Sequence, residues 1–321
     1  MTSTTLEPQA TTTDPAPKYA RCVDASRRVR WDIERDVIRG RHFDVDQRFL
    51  PDALSRAADL AQLLPQERCF LSQVQGRSYA NMIALLERFI AAKGSELARS
   101  HAFGDQAAFE ALVRLTDEEL KHQALFRRVD EMLAAQMPAG YTFLAQPNQV
   151  AQAVLAKSDW AILALTLHIE LFTQAHYRTC IDPDWGLSEL WRDVFRFHWI
   201  EESQHAILDE LEWRRAHARA DAAARDRGVD ELIELIVAVD ALVQAQAAAD
   251  AGYFLRHLGR TLPAAEAAAV QATLLKAYRW QFIVSGAQEP RFMVALSSLV
   301  TQAQMQRIGM ALAPIVAQVL Q

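Results

Sequence analysis

The sequence predicts an all-α protein, and three observations carry this prediction. From about Leu54 onward, apolar residues recur every three or four positions, which is the period of a helix with one buried face. Glycine and proline cluster at only a few places, and no segment sustains the two-residue alternation of a half-buried strand. The chain has 321 residues, 51% of them hydrophobic, and is long enough to bury a large core.

The N-terminal segment differs from the rest in composition. Residues 1–18 are rich in threonine and proline and contain hardly an aliphatic side chain, so we expect a disordered tail there. We expect residues 19–321 to form a single helical domain.

Seven helices are expected along this domain. The apolar periodicity places them near residues 66–98, 105–137, 147–180, 187–217, 229–257, 263–287 and 290–320. Turn signals separate several of them: Pro138-Ala139-Gly140 follows the second helix, Asp182-Pro183-Asp184 follows the third, and Gly94 and Gly104 bracket the first connection.

A short pattern occurs twice in the chain. Glu-Glu-Leu-Lys-His occupies residues 118–122 and Glu-Glu-Ser-Gln-His occupies residues 201–205, 83 positions later. Each copy has a lone glutamate, Glu87 or Glu170, 32 positions before its own second glutamate. The chain therefore repeats one set of acidic and imidazole side chains.

The two upstream glutamates lie in apolar surroundings. Glu87 has apolar residues one turn before and one turn after it, and Glu170 is the only formally charged residue between positions 160 and 177. A lone buried carboxylate costs several kcal/mol unless it is protonated, paired or bound to a metal. Each of these glutamates therefore needs a partner.

The repeated motifs supply those partners. A glutamate and a histidine three positions later point the same way from a helix, and two such motifs with two further glutamates bind two metal ions in ferritin-like four-helix bundles. Carboxylate oxygens with a few imidazoles favour iron or manganese. A single Glu-x-x-His is more often a solvated face or a hydrogen-bonded core histidine, but the doubled pattern at equal spacing favours metal. The predicted ligands are Glu87, Glu119, His122, Glu170, Glu202 and His205.

One further histidine breaks the repeat. His198 lies four positions before Glu202 and seven before His205, so the three share one stripe of a helix, whereas the equivalent position in the first half is Leu115. We interpret His198 as a seventh metal ligand. The alternative is a buried histidine that is hydrogen-bonded to a neighbouring carboxylate.

The seven-residue pattern resembles that of the p-aminobenzoate N-oxygenase (AurF) family of di-iron oxygenases. The mark of that family is a histidine ligand one turn before the second Glu-x-x-His motif, which is the position of His198. The resemblance covers roughly residues 70–215 by motif. It implies a ferritin-like bundle with its metal-binding core at about 66–217 and additional C-terminal helices at about 229–320.

The resemblance also implies a function. It implies a di-iron monooxygenase that uses two iron ions and O2 on a small-molecule substrate, with N-oxygenation of an (aryl) amine to a hydroxylamine or nitro group as the main expectation. Manganese at one of the two metal sites stays open. The alternatives are a di-iron hydroxylase or fatty-acyl desaturase-like oxidoreductase, and a ferritin-like metal-binding protein without redox activity.

Three other acidic residues lie beside the predicted ligands. Glu118 and Glu201 each precede a ligand glutamate, where di-iron bundles often keep an acid that orients a ligand histidine. A solvated face is the equal alternative for both. Asp209, one turn past His205, is a candidate for the same role or for simple surface exposure.

Composition and motifs restrict the partners and the location that can be expected for the protein. A net charge of −6 gives no basic field for nucleic acid, and neither a signal peptide nor a 20-residue apolar run is evident, so we expect a cytoplasmic protein without a membrane span. The three cysteines form no CxxC pair, and no flavin or nicotinamide fingerprint occurs. Electrons must therefore come from an external reductase, the substrate or peroxide. The apolar C-terminal helices are expected to roof the site or to form a homodimer interface.

Overall fold

The described part of the chain consists mainly of helices joined by turns and loops. The computed structural model describes residues 15–320, and within them no β-strand occurs apart from one isolated bridge between Arg48 and Leu187. The prediction of an all-α fold is therefore confirmed. The part of the predicted tail at residues 1–14 lies outside the described residues.

Twelve α-helices are present between residues 15 and 320. The first six are α1 (Ala16–Arg28), α2 (Asp52–Ser55), α3 (Pro65–His101), α4 (Gln106–Gln136), α5 (Pro147–Leu155) and α6 (Asp159–His176). The other six are α7 (Glu189–Arg219), α8 (Ala222–His257), α9 (Ala264–Arg279), α10 (Ser285–Ala287), α11 (Pro290–Leu299) and α12 (Gln302–Leu320). Short π-helical segments occupy Ile33–Ile38, Tyr177–Ile181 and Trp280–Val284.

Several predicted boundaries are wrong. α1 starts at Ala16, inside the segment that was expected to be a disordered tail. The helix expected over 147–180 is two helices, since the Ser158 side chain caps a new start by accepting a hydrogen bond from the backbone N–H of Ala161. The helix expected over 290–320 breaks after Leu299.

Gly94 was also misplaced by the sequence analysis. It lies inside α3 instead of at a turn, and a Cβ there would come within 2.8 Å of the Leu115 side chain on α4. The missing side chain lets the two helices approach each other closely.

Four long helices form the centre of the protein. α3 packs along α4, α6 packs along α7, and α4 also contacts α7. α1 lies over α4 and α7, whereas α8 contacts α3 and α6, and α5 contacts α3. α1 thus covers the pair α4 and α7, whereas α5 and α8 cover the pair α3 and α6.

Side-chain caps fix where the central helices begin. Asp105 accepts hydrogen bonds from the backbone N–H groups of Ala107 and Ala108 at the start of α4. Ser188 accepts one from Trp191 at the start of α7. Each cap satisfies N–H groups that have no partner within the helix, which sets the register of the residues that follow.

The C-terminal helices pack against α6 through a π-helical segment. His168 of α6 donates from Nε2 to the carbonyl oxygen of Ile283, at a distance of 3.0 Å. Next to it, a Cβ on Gly286 would overlap the His168 ring, so only glycine allows this approach. This contact holds α9 and α11 beside the central helices.

Outside the four central helices, α8 is the longest helix, and it is largely apolar. By length and composition alone, it is the one helix among residues 15–320 that could cross a membrane, and 28% of its most apolar 18-residue window is buried. No 20-residue apolar run was evident from the sequence, and this helix was not singled out there.

Candidate metal centre

The predicted ligands lie on the four central helices and are all buried. Glu87 comes from α3, the first Glu-x-x-His from α4, Glu170 from α6 and the remainder from α7. None of the seven is more than 4% exposed. Buried ionisable groups at this density require cations or protons among them.

Six of the seven side chains form two overlapping groups in which ligand atoms lie within 4.8 Å of one another. One group consists of Glu87, His122, His198 and Glu202, and the other of Glu119, His122, Glu202 and His205. Each group could hold a metal ion, so metal binding in this helical protein has direct geometric support. Glu170 lies outside both groups.

The imidazole nitrogens face carboxylate oxygens without hydrogen-bond geometry. Nδ1 of His122 lies 3.0 Å from Oε1 of Glu202, and Nδ1 of His205 lies 2.8 Å from Oε1 of Glu119. All four of these atoms are buried and lack a hydrogen-bond partner. Lone pairs of nitrogen and oxygen that converge in this way suit a cation between them.

Two carboxylates fix the ring orientation of the histidines. Nε2 of His122 donates to Oε2 of Glu201 at 2.9 Å, and Nε2 of His205 donates to Oε2 of Glu118 at 2.8 Å. With Nε2 as the donor, Nδ1 of each ring faces the cluster, where it presents a lone pair when the imidazole is neutral. Neither acid lies on a solvated face, since Glu118 is 3% exposed and Glu201 is fully buried.

Glu118 is held by three donors. Besides His205, the Ser26 hydroxyl of α1 and the Gln204 amide of α7 donate to its two oxygens. Burial alone would raise the pKa of Glu118, but the hydrogen bonds and the charge of His205 outweigh it and lower that pKa to about 2. The side chain is therefore ionised and accepts from all three donors.

Glu201 is held by a surface lysine. Nζ of Lys121 donates to Oε1 of Glu201 at 2.6 Å and also lies 4.0 Å from the ring centroid of Trp31. The Trp31 ring is stacked on His122, with an angle of 9° between the ring planes. Lys121, Trp31 and His122 close the site on the side of the segment that joins α1 to the first π-helical segment.

The electrostatics of the cluster favour added positive charge. Burial raises the pKa of Glu202 and lowers the pKa of His205, but their attraction to oppositely charged neighbours is stronger. The pKa of Glu202 therefore lies well below its usual range and that of His205 well above it. Imidazoles that take up protons in the interior indicate an excess of carboxylate charge.

Glu170 and Asp209 are the least compensated acids. Burial raises the pKa of both well above the usual range, and the negative charges of Glu119 and Glu202 raise it further. Each side chain leaves one carboxylate oxygen buried without a partner. Asp209 is 5% exposed, so it does not lie on the surface, and no hydrogen bond joins it to a predicted ligand histidine.

His198 faces the first metal group. Its Nε2 lies 2.9 Å from Oε1 of Glu87, to which it is hydrogen-bonded, and 2.9 Å from Oε1 of Glu202. Burial lowers the pKa of His198, although the charge of Glu202 opposes this. The rings of Phe126 and Phe195 pack against its edge. This position suits both interpretations made from the sequence, a seventh metal ligand and a buried histidine that is hydrogen-bonded to a carboxylate.

Several supporting residues were not found from the sequence. Ser26 lies 92 positions from Glu118, and no pattern links them. Gln204 and Lys121 lie within the repeated motifs, but their residue types carry no ligand chemistry. Trp31 precedes a π-helical segment and had no helical periodicity to mark it as buried.

Comparison with known proteins adds no assignment. No protein-family model matches the chain, and no curated protein matches it. What can be said of function therefore depends on the geometry of the cluster.

Proposed function

We propose that the chain is a non-haem di-iron oxygenase whose α3, α4, α6 and α7 form a ferritin-like four-helix core. The proposed reaction is the N-oxygenation of an (aryl) amine, the activity of the family that the ligand pattern resembles. One observation carries the proposal: buried carboxylates and imidazoles from α3, α4 and α7 lie with their ligand atoms within 4.8 Å of one another, and the Nδ1 atoms of His122 and His205 have no hydrogen-bond partner. Such groups are unstable in an apolar core unless cations join them.

The residues present fit two iron ions. Four carboxylates carry a charge of −4 when Glu170 is included, and two Fe(II) ions would neutralise it. Oxygen and imidazole ligands suit iron or manganese better than a soft metal. Glu202 and His122 belong to both groups of ligand atoms, so the same carboxylate and imidazole would help to hold either ion.

The surrounding side chains hold the ligands in place. Glu118 and Glu201 keep the Nε2 protons of the two motif histidines and aim both Nδ1 atoms at the cluster. Such partners typically change metal affinity by about 10- to 100-fold. α1 covers the site on this side and excludes water from the hydrogen bonds.

When bound, the iron pair would supply the electrons that activate O2. The chain would supply the binding site for the substrate, and no described or predicted feature provides further electrons, so we propose an external reductase or peroxide as their source. Cytoplasmic location and a homodimeric assembly are part of the proposal. Neither a nucleic-acid partner nor a membrane span is needed for it.

A product analysis tests the proposed reaction. Iron-loaded protein is reduced without oxygen, mixed with a panel of para-substituted anilines and exposed to ¹⁸O₂. The proposal predicts hydroxylamine or nitro products that carry ¹⁸O, and their absence from a Glu119→Gln variant. A Glu110→Gln variant on the same helix is the control, because Glu110 contacts only surface arginines.

The alternative functions give other results. Carbon-hydroxylated or desaturated products from alkyl-bearing substrates would favour the hydroxylase or desaturase alternative over N-oxygenation. Metal binding with no labelled product from any substrate would leave a metal-binding protein without oxygenase activity.

A further inference from the structure

Two apolar cavities lie on the side of the central helices that α8 covers. The proximal cavity, of about 170 Å³, is bounded by α3, α5, α6 and α8, with Leu86 and Ile169 in its wall. The distal cavity, of about 190 Å³, is bounded by α6, α8, α11 and α12, with Phe292 and Ile308 in its wall. Both cavities are of a size that matters, since an apolar cavity of about 150 Å³ holds a benzene ring.

The two cavities are neighbours. Leu165 of α6, Val239 of α8 and Phe282 of the π-helical segment line both of them. These three side chains form the boundary that the two cavities share.

The proximal cavity lies between α3 and α6, the helices that carry Glu87 and Glu170. Leu86 and Ile169 in its wall are the chain neighbours of Glu87 and Glu170. Oε2 of each of these two glutamates is buried without a partner. The histidines, by contrast, are hydrogen-bonded to Glu118 and Glu201 beneath α1. The motif histidines are thus held on the side that α1 covers, and the two cavities lie on the side that α8 covers.

The cavity walls carry no charge. Among the described residues that line them, only His168 and Gln288 have polar side chains. His168 is neutral, because burial lowers its pKa to about 4, and its Nε2 is already hydrogen-bonded to Ile283. A ligand with a second charged group in its body would find no partner here, and burying such a group is costly.

We propose that these two cavities form the substrate-binding site, and that the substrate is an amine with an elongated, uncharged apolar body. The body would fill the proximal cavity and extend into the distal one, which together hold about two ring-sized groups. The amine would lie toward Glu87 and Glu170. The identity of the reacting group rests on the proposed function, whereas the apolar body rests on the cavities alone.

Binding of 1-alkanols to the metal-free protein tests the cavities without any turnover. The alkanol hydroxyl stands in for the amine, and it has no charge that the carboxylates could attract. Calorimetric titration from 1-butanol to 1-decanol should show a gain in affinity of about four-fold per methylene. α,ω-Alkanediols of the same lengths should bind about ten-fold more weakly or worse, because their second hydroxyl enters an apolar wall.

A matched pair of variants locates the binding site. Val239→Phe fills the wall shared by both cavities, whereas Val237→Phe adds the same side chain at a position on α8 that is 58% exposed and lines neither cavity. We expect Val239→Phe to weaken 1-octanol binding at least ten-fold and Val237→Phe to leave it unchanged. Should Val239→Phe fail to fold by circular dichroism, Ala153→Phe, which narrows the proximal cavity from α5, replaces it.

The outcomes separate this inference from the proposed function. Alkanol binding that depends on length and is lost in Val239→Phe supports the cavities as a binding site even if the metal-loaded protein does not react with O2. Absent binding, affinity independent of chain length, or equal effects of the two valine variants would overturn the inference even if the protein oxygenates small anilines.

Discussion

Nε2 of His205 on α7 donates to Glu118 on α4 across 2.8 Å, and this hydrogen bond joins the two halves of the internal repeat. The converse contact is also present, since His122 on α4 donates to Glu201 on α7. Each half of the repeat therefore orients the histidine of the other half. Neither half can form the centre by itself, which accounts for the close contact between α4 and α7.

Neutralising Glu118 should weaken metal binding. A Glu118→Gln variant removes the charge that holds the Nε2 proton of His205, and we expect metal affinity to fall by about 10- to 100-fold. Anaerobic competition of Fe(II) between the protein and a chelator measures this. Asp117→Asn, an exposed neighbour on the same helix, is the control and should bind iron like the parent protein. Equal affinities in both variants would contradict the role of Glu118.

Removing His198 should affect one metal ion more than the other. His198 belongs with Glu87 and Glu202 to the first group of ligand atoms and is absent from the second group. A His198→Ala variant should therefore keep one ion tightly and bind the other at least ten-fold more weakly in a metal titration. His257→Ala, at an exposed position on α8, provides the control. Two ions bound as tightly as in the parent would favour the alternative of a hydrogen-bonded core histidine.

A buried acid outside the metal centre should make stability depend on pH. Asp250 of α8 is fully buried and accepts hydrogen bonds from Ser78, Gln246 and Tyr278. Burial raises its pKa from 3.8 to about 6, although the hydrogen bonds oppose this. Between these two values, the folded chain binds the proton more tightly than the unfolded chain does. Its contribution to stability is therefore largest below pH 4 and is lost as pH rises through 6.

An Asp250→Asn variant isolates this effect. The difference in unfolding free energy, parent minus variant, should fall by about 2.5 kcal/mol between pH 4 and pH 7, since each pKa unit corresponds to about 1.4 kcal/mol and part of the change lies below pH 4. Urea unfolding of both proteins at several pH values gives the difference. A difference that does not change with pH, or that rises with pH, would show that folding does not raise the pKa of Asp250.

Two glycines should respond in opposite ways to substitution by alanine. At Gly286 a Cβ would overlap the ring of His168, so Gly286→Ala should destabilise the protein by about 1–3 kcal/mol. At Gly309, within α12, a Cβ meets nothing within 4 Å, so Gly309→Ala should stabilise it by about 0.5–1 kcal/mol. Thermal unfolding of both variants checks this. Equal effects would mean that α6 and α10 do not approach as closely as described.

The fold could be predicted where apolar periodicity was strong and turns contained glycine or proline. The turn at residues 138–140 was found in this way, and it follows α4 as predicted. The break between α5 and α6 was missed because only a serine cap marks it, and a serine by itself is a weak signal. α1 was missed because threonine and proline dominate the residues that precede it.

The grouping of six of the seven proposed ligands could be predicted, because repeat spacing and helical geometry link residues that are close in sequence. Glu119 and His122 are one turn apart on one helix, so their common direction follows from sequence alone. The contact of Ser26 with Glu118 depends on how α1 docks, and docking depends on the packing of whole surfaces. The position of Glu170 outside the two ligand groups is likewise a matter of side-chain conformation, which no spacing encodes.

The most direct test of the account is metal counting followed by exposure to O2. Metal-free protein is reconstituted with Fe(II) without oxygen, its iron content is measured, and its visible absorption is then recorded after O2 is added. The account predicts about two irons per chain and an absorption change that requires O2. Fewer than two irons at saturation, or two irons that leave the spectrum unchanged on addition of O2, would contradict it.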